Sequence, residues 1–229
     1  MKRKLKIVAL GVCLGLALVA VQKSFRIDQD AFMCGYWIAA LLLLIGVLVI
    51  NSIYNISYQR RVRKTAVLLE AGRPQEYIAE MEKLLRTAKG QKLRKILKID
   101  LAAGYINLKA FDKAAELLEG ISDKGLAGTA VKTAYRLNLC TCYFNTAQEE
   151  KALELYNDSR KVFESQRGSK LYGANIAILD VLAAIQRGQY DRAEQLLDQA
   201  RRAWSDPRFQ EAFQEIEHTL TDTKKENIL

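Results

Sequence analysis

The sequence predicts an all-α protein in which a two-helix transmembrane hairpin precedes an α-solenoid with a C-terminal capping helix. Two long apolar runs lie near the N-terminus, three helix-pair segments repeat in the remainder, and no alternating β-branched run typical of a strand occurs. The predicted organisation is a hairpin over 1–59, a helical-repeat domain over 60–220 and a disordered tail over 221–229. With 229 residues, 50% hydrophobic and 27% charged, the chain has the composition of one or two folded domains.

The net charge of +9 is concentrated at two places. Two basic clusters flank the apolar runs and account for eight of the nine charges: Lys2, Arg3, Lys4 and Lys6 before the first run, and Arg60, Arg61, Arg63 and Lys64 after the second. A nucleic-acid-binding protein is expected to carry its basic excess along one face of the folded domain. The distribution therefore predicts a membrane protein without a nucleic-acid partner, and the second cluster is placed to contact anionic lipid.

The first apolar run covers residues 7–21, and it extends to a predicted span of about 5–22 if the stem of Lys6 is included. A crossing needs about 20 residues, so this run is short for a span. A basic start followed by a short apolar core is also typical of a signal peptide, which remains the alternative. Cleavage after Ala20 would place Leu18 at the −3 position, where a small residue is preferred.

The second run covers residues 31–50 without a charged residue and predicts a span of about 31–54. Aromatic residues at its two ends are typical of the membrane interfaces: Tyr36 and Trp37, and Tyr54 and Tyr58. Neither span has an ionisable residue in its apolar centre, which favours an anchor over a transporter or channel. The basic flanks place both termini in the cytoplasm, so we expect a multi-pass protein of the plasma membrane, with a layout found in bacteria.

Three segments of the remaining chain align as helix pairs, over residues 101–121, 139–159 and 180–200. In each, an apolar helix and a polar turn precede a second helix that opens on a small residue: Ala114, Ala152 and Ala193. A helix pair cannot bury its apolar face alone, so stacked neighbours are expected to share one continuous core.

These segments resemble the tetratricopeptide repeat over roughly residues 95–204. Matches in the first helix are a small residue, at Ala102, Cys140 and Val181, and an aromatic three residues later, at Tyr105 and Tyr143, where Ala184 departs. In the second helix, an aromatic residue precedes the alanine at Phe111 and Tyr190, and Glu149 departs from this pattern. A bulky residue follows the alanine in all three segments, at Leu118, Tyr156 and Leu197. The alanines are 38 and 41 residues apart, longer than the usual repeat of about 34.

Two further elements flank the repeats. Residues 62–71 and 75–85 predict a weaker helix pair, with Pro74 at the first turn of the second helix. Asp206 and Pro207 predict the start of an amphipathic helix over 209–220, which would cover the apolar side of the last repeat.

The sequence offers little catalytic chemistry. His218 is the single histidine, and Cys140 and Cys142 lack the spacing of a redox or zinc motif. No glycine-rich loop follows a strand, and no nucleophile elbow occurs. The sequence therefore predicts no cofactor, no metal site and no enzymatic activity.

The resemblance instead implies binding, because the first helices of tetratricopeptide repeats line a groove that receives a peptide or a partner helix. By alignment the groove residues would be Ile99, Ala103, Ile106, Asn138, Thr141, Asn145, Asn175, Ile178 and Leu182. Packing between repeats is the alternative role for each. Ile99 and Ala103 stand where chaperone-binding members carry lysine and asparagine, and only Asn138 matches their carboxylate clamp.

The sequence therefore predicts a membrane-anchored adaptor or scaffold whose cytoplasmic domain binds a protein or peptide partner. The alternative is a regulatory accessory subunit of a membrane-associated enzyme or pathway, because several bacterial proteins of this layout lie beside biosynthetic pathways. A peptide-sensing receptor would need a deep polar groove, which the mostly apolar groove residues disfavour.

Overall fold

The computed structural model describes residues 28–226, together with the isolated positions Gly15 and Gln22. Apart from those two positions, the predicted span over 5–22 and its basic flank lie outside the described residues. In the part that is described, regular secondary structure consists of nine helices and no strands, so the all-α prediction is confirmed there.

The helices are numbered along the chain. They are α1 (Gln29–Glu70), α2 (Pro74–Thr87), α3 (Gln91–Asn107), α4 (Phe111–Glu119), α5 (Thr129–Phe144), α6 (Glu149–Glu164), α7 (Gly173–Gln186), α8 (Tyr190–Ala203) and α9 (Pro207–Glu226). The chain divides into two compact units, Met1–Gln59 and Arg60–Leu229.

The helix α1 is the one described helix that is long and apolar enough to cross a membrane. Its most apolar 18-residue window has a mean hydropathy of 2.5, and none of that window is buried. Large side chains such as Leu43 (71% exposed) and Ile50 (69% exposed) lie open. Its 42 residues correspond to a length of about 60 Å, roughly twice the hydrocarbon thickness of a bilayer.

The predicted span over 31–54 and the predicted helix over 62–71 are parts of one helix, because α1 continues without interruption to Glu70. Polar residues in this stretch bond within the helix instead of ending it. The Asn55 side-chain amide donates to the Asn51 carbonyl (2.9 Å), and the Thr65 hydroxyl donates to the Arg61 carbonyl (3.0 Å). No glycine or proline occurs between Gly46 and Gly72, so nothing in the sequence stops the helix earlier.

The helix α1 ends at a glycine turn. Gly72 has a φ of +68°, and the backbone N–H groups of Gly72 and Arg73 donate to the carbonyls of Leu69 (3.0 Å) and Leu68 (2.8 Å). This is the pattern by which a left-handed glycine satisfies the last carbonyls of a helix. Pro74 then occupies the first turn of α2, as the sequence predicts.

In the unit Arg60–Leu229, each helix from α2 onward packs against the next helix along the chain. The helices α3, α5, α7 and α9 also pack against one another in sequence order. Contacts between α6 and α8 are at most marginal in the described residues. The helices α3, α5, α7 and α9 therefore form a continuous row, and α2, α4, α6 and α8 each pack onto it.

The core of this unit follows the row and is held together by small residues. Ala114, Ala152 and Ala193 are fully buried where the second helix of each pair meets the first. Phe163 fills the cluster between α5, α6 and α7, and Phe213 fills the cluster between α7, α8 and α9. Close packing of this kind leaves no space for a larger residue at the alanines.

The last helix covers the end of the row as predicted, but it is longer than predicted. Phe213, Ile216 and Leu220 are buried against the α7–α8 cluster. The tail predicted to be disordered over 221–229 is helical as far as Glu226, and residues 227–229 lie outside the described part. Ion pairs to the neighbouring helix hold this extension: the Lys224 ammonium lies 3.2 Å from Asp191 and 3.0 Å from Glu194 on α8.

Substitution of Gly173 by alanine is expected to destabilise the protein by about 1–3 kcal/mol, because overpacking a close contact has a cost of this order. A Cβ atom at this position would overlap both the Trp204 ring and the Arg167 carbonyl oxygen. Thermal unfolding of the full-length protein in neutral detergent, followed by circular dichroism, measures the change.

The matched control is Gly120→Ala. A Cβ atom there would meet nothing closer than 3.6 Å. We expect the control to unfold at the temperature of the unsubstituted protein, and equal melting temperatures for the two variants would contradict the predicted close contact.

Candidate binding site

The predicted groove residues lie on α3, α5 and α7, three members of the continuous row. On α3, Ile99 is only 2% exposed and belongs to a core cluster, so its side chain packs the domain and is not available to a partner. Ala103 and Ile106 are half-buried, and Ile106 packs against the same cluster.

On α5 and at Asn145, which directly follows its last residue, the three predicted polar residues use part of their hydrogen-bonding capacity within the domain. The Asn138 amide donates to the Ile99 carbonyl (3.3 Å), which links α5 to α3. The Thr141 hydroxyl donates to the Leu137 carbonyl (2.9 Å), and the exposed Asn145 donates to the Thr141 carbonyl (2.7 Å) at the end of α5.

On α7, Asn175, Ile178 and Leu182 are half-buried, and the two apolar residues pack against the α7–α8–α9 cluster. Eight of the nine predicted residues thus keep some exposure on the row, with Asn145 the most accessible. The row surface, defined here as those eight residues, is mixed in polarity and carries no formal charge.

Asp100 on α3 is the carboxyl group whose pKa departs most upward. Burial raises its pKa from 3.8 to about 6. The Tyr77 hydroxyl donates to the Asp100 backbone carbonyl (2.8 Å), and burial together with the Asp100 charge raises the pKa values of Tyr77 and Tyr172.

The folded protein therefore holds a proton on Asp100 more tightly than the unfolded chain does. Its contribution to stability is fully present below about pH 4 and is lost as the pH rises to about 6. We expect Asp100→Asn to raise the free energy of unfolding by about 1–3 kcal/mol at neutral pH and to leave it nearly unchanged at pH 4. Urea unfolding in neutral detergent at a series of pH values measures this.

The exposed Asp158 on α6 provides the control for removing one negative charge. A stabilisation of equal size in Asp158→Asn, or one that is independent of pH in Asp100→Asn, would contradict the assignment to the half-buried Asp100.

A second feature, which the sequence does not reveal, is a cleft of about 460 Å³ between α6, α7 and α8. Its charged lining consists of Arg160, Arg167, Arg187, Arg192 and Asp180. Tyr156, Ala184 and the amides of Asn157, Gln189 and Gln199 also line it. We call this feature the arginine cleft.

The base of the arginine cleft is a hydrogen-bonded group around Asp180, which is only 8% exposed. The Tyr156 hydroxyl donates to Asp180 Oδ1 (2.6 Å), and the Arg167 guanidinium forms a two-pronged ion pair with the same carboxylate. Arg167 Nε also donates to Glu164 (2.6 Å). Burial, followed by the hydrogen bond to Asp180, raises the pKa of Tyr156 to about 12. Arg167 is therefore neutralised within the domain, and its pKa is raised by the same carboxylate.

The other three arginines have no acidic partner within ion-pair distance in residues 28–226. Arg187 donates to the Asn157 side-chain oxygen (2.6 Å) and lies 5.6 Å from the centre of the Tyr156 ring. Among the described residues, the Arg192 side chain reaches only the Gln195 side-chain oxygen (3.4 Å), and the Arg160 side chain forms no hydrogen bond or ion pair. All three side chains are exposed.

In the described part of the chain, no group of three or more histidine, cysteine, aspartate and glutamate residues is placed to hold a metal ion. Cys140 and Cys142 are fully buried, and burial raises the pKa values of both thiols. His218 lies exposed on α9 beside Asp222, 2.8 Å from Nδ1 to the carboxylate.

The signal for the arginine cleft was present in the sequence as a departure from the repeat. Ala184 stands where Tyr105 and Tyr143 stand in the earlier repeats, and it lines the cleft. Arg160 lies on α6 and Arg192 on α8, whereas Arg167 and Arg187 lie in the connections that precede and follow α7. Their proximity therefore depends on tertiary packing.

Comparison with known proteins gives no relative: no protein-family model, no curated protein sequence and no solved structure matches this chain.

Proposed function

We propose that this protein is a membrane-anchored adaptor, in which a two-helix hairpin holds a tetratricopeptide-like α-solenoid at the cytoplasmic face and the solenoid binds a protein or peptide partner. In this proposal the segment over 5–22 supplies the first span and α1 supplies the second.

The observation that carries the proposal is the exposed apolar surface of α1. No charged residue occurs over 31–59, and the most apolar window of the helix has no buried residue. An apolar surface of this extent is unfavourable in water and requires lipid or protein to cover it. The basic residues from Arg60 to Lys64 follow at the point where the helix would leave the bilayer, which supports a cytoplasmic position for the rest of the chain.

The solenoid part of the proposal is supported by how the helices pack. From α2 onward, each helix contacts its neighbours in sequence, and α3, α5, α7 and α9 also contact one another in order. Fully buried alanines recur at the equivalent place in three successive helix pairs, Ala114, Ala152 and Ala193. Nearest-neighbour stacking is the defining property of repeat proteins, whose extended surfaces commonly bind other proteins.

The first test concerns the membrane. The variant Leu43→Arg with Val47→Arg places two charges in the proposed span, and each charge near a bilayer centre costs about 2.5–3.5 kcal/mol. Val67→Arg with Leu171→Arg is the matched control, because these side chains have similar exposure (58% and 69%, against 71% for Leu43 and 63% for Val47) but lie outside the proposed span.

The proteins are synthesised with a C-terminal glycosylation tag in the presence of microsomes and washed with alkaline carbonate. We expect the unsubstituted chain and the control to stay in the membrane without glycosylation. The α1 variant is expected to be glycosylated or extracted, because only the first span would remain. A glycosylated unsubstituted chain would contradict the hairpin, and identical behaviour of the two variants would contradict the span.

The second test concerns the partner. A photo-crosslinking amino acid at the exposed Asn145 on the row surface is expected to give one dominant adduct in native membranes, identified by mass spectrometry. The same amino acid at the exposed Glu116 on α4 is the control, since α4 lies off the row. Equal adducts from both positions, or none from Asn145, would contradict binding at the row surface. If the crosslinked partner is a membrane enzyme, and if the catalytic rate of that enzyme depends on this protein, the result would favour a regulatory accessory subunit.

A further inference from the structure

The arginine cleft exists because a contact made in the earlier repeats is missing. The Tyr105 hydroxyl on α3 donates to Glu82 on α2 (3.2 Å), and the Tyr143 hydroxyl on α5 donates to Glu119 on α4 (2.9 Å). In both cases an aromatic ring fills the space between helix pairs and a carboxylate accepts its hydrogen bond. The corresponding residue on α7 is Ala184, which provides neither the ring nor the hydroxyl. The space between α6 and α8 therefore stays open.

The charge at this position is also reversed. The earlier contacts have a glutamate on the preceding helix, whereas α6 presents Arg160, at the same sequence separation from Ala184 as Glu119 has from Tyr143. Arg160 and Ala184 line the same cleft. The loss of the tyrosine and the exchange of acid for base thus occur together and turn a closed, acidic contact into an open, basic one.

The arrangement at the base leaves three cations for a ligand. Asp180 is occupied by Tyr156 and Arg167, so it does not neutralise Arg160, Arg187 or Arg192. Mutual repulsion of three exposed cations around one cleft is relieved when an anion binds among them. Arg192 stands in the first turn of α8, where the helix dipole adds to the positive potential.

The geometry favours several carboxylates on an extended chain over one compact anion. The three available arginines come from different places, namely α6, the turn after α7 and the start of α8. Between them lie the side-chain amides of Asn157, Gln189 and Gln199, which can both donate to and accept from a peptide backbone. The guanidinium group pairs well with carboxylates in a two-pronged geometry.

We propose that the arginine cleft binds an acidic peptide segment of the partner protein, with Arg160, Arg187 and Arg192 as the contacting side chains and the Asp180–Arg167–Tyr156 group as a rigid base. This inference rests on the proposed function, since it assigns the chemistry of the partner, but it concerns a surface separate from Asn145 on the row.

The test uses the full-length protein in nanodiscs of phosphatidylcholine, which carry no net charge. The probe is a fluorescein-labelled peptide of alternating glutamate and serine, and binding is followed by fluorescence anisotropy. The cleft variant combines Arg160→Gln, Arg187→Gln and Arg192→Gln. The control variant combines Arg86→Gln, Lys161→Gln and Arg202→Gln, three exposed cations that do not line the cleft.

We expect the cleft variant to bind the probe at least about tenfold more weakly than the unsubstituted protein, since removing three partly exposed charge contacts has an effect of this order. The control variant, with the same net charge, is expected to keep most of the affinity. Added salt should weaken binding to the unsubstituted protein, because the contacting charges are exposed to screening. The substituted side chains are exposed, so circular dichroism should show both variants folded.

Three results would overturn the inference: equal losses in the two variants, which would indicate attraction by net charge alone; full binding by the cleft variant; or no binding of the peptide at all. Inorganic phosphate is titrated in parallel, and phosphate binding that depends on the three arginines without peptide binding would identify a free anion site instead. If the cleft variant binds the peptide normally and the Asn145 adduct still forms, this inference is refuted and the proposed function remains intact.

If no Asn145 adduct forms in the protein with an intact cleft, the proposed function itself is refuted.

Discussion

The helical domain depends on close approach between the two helices of each pair at a fully buried alanine. Ala114, Ala152 and Ala193 have no exposed surface, and each lies where its helix meets the row. A larger side chain there would have to displace the neighbouring helix, because a packed interior has no free volume to receive it. The position is therefore constrained to be small, and the surrounding residues are free to differ from repeat to repeat.

The residues that form the contacts between successive helix pairs do differ. The first two contacts carry a tyrosine on the row and a carboxylate on the preceding helix. The third inverts the pair, with Tyr156 on the preceding helix and Asp180 on the row. The inversion keeps one partly buried hydroxyl–carboxylate hydrogen bond, but it places the tyrosine ring away from Ala184 and leaves the arginine cleft open. The different contact at this place leaves a cleft open while the order in which the helices pack stays the same.

The sequence predicted the helices well because their signals are local. Apolar periodicity, Pro74 and the Asp206–Pro207 pair depend on near neighbours, and the structure has helices at all of these places. The continuity of α1 was missed because the predicted span was ended at about residue 54, whereas the Asn55 side chain donates to the Asn51 carbonyl one turn earlier and the helix continues to Glu70. The helix beyond residue 220 was missed because its stabilising partners, Asp191 and Glu194, lie on another helix.

The two candidate binding surfaces were less predictable, because they too depend on contacts between helices. Alignment placed Ile99 in a groove, yet α5 covers it and the Asn138 amide binds its carbonyl. The arginines of the cleft are unremarkable one by one, and only packing brings Arg160 beside Arg187 and Arg192. The departure of Ala184 from the repeat was visible, but its consequence required knowing that α6 and α8 flank that residue.

In the proposed arrangement, membrane anchoring and a weakly charged cleft complement each other. Three exposed arginines supply only a modest affinity, because exposed ion pairs contribute about 0–1 kcal/mol each and are screened by salt. Confinement of the adaptor and its partner to one membrane surface raises their effective concentration, so a modest affinity is then sufficient for occupancy. The same modest affinity lets the partner dissociate readily, whereas a deep, desolvated site would hold it. An open cleft with exposed cations therefore suits an anchored protein better than a freely diffusing one.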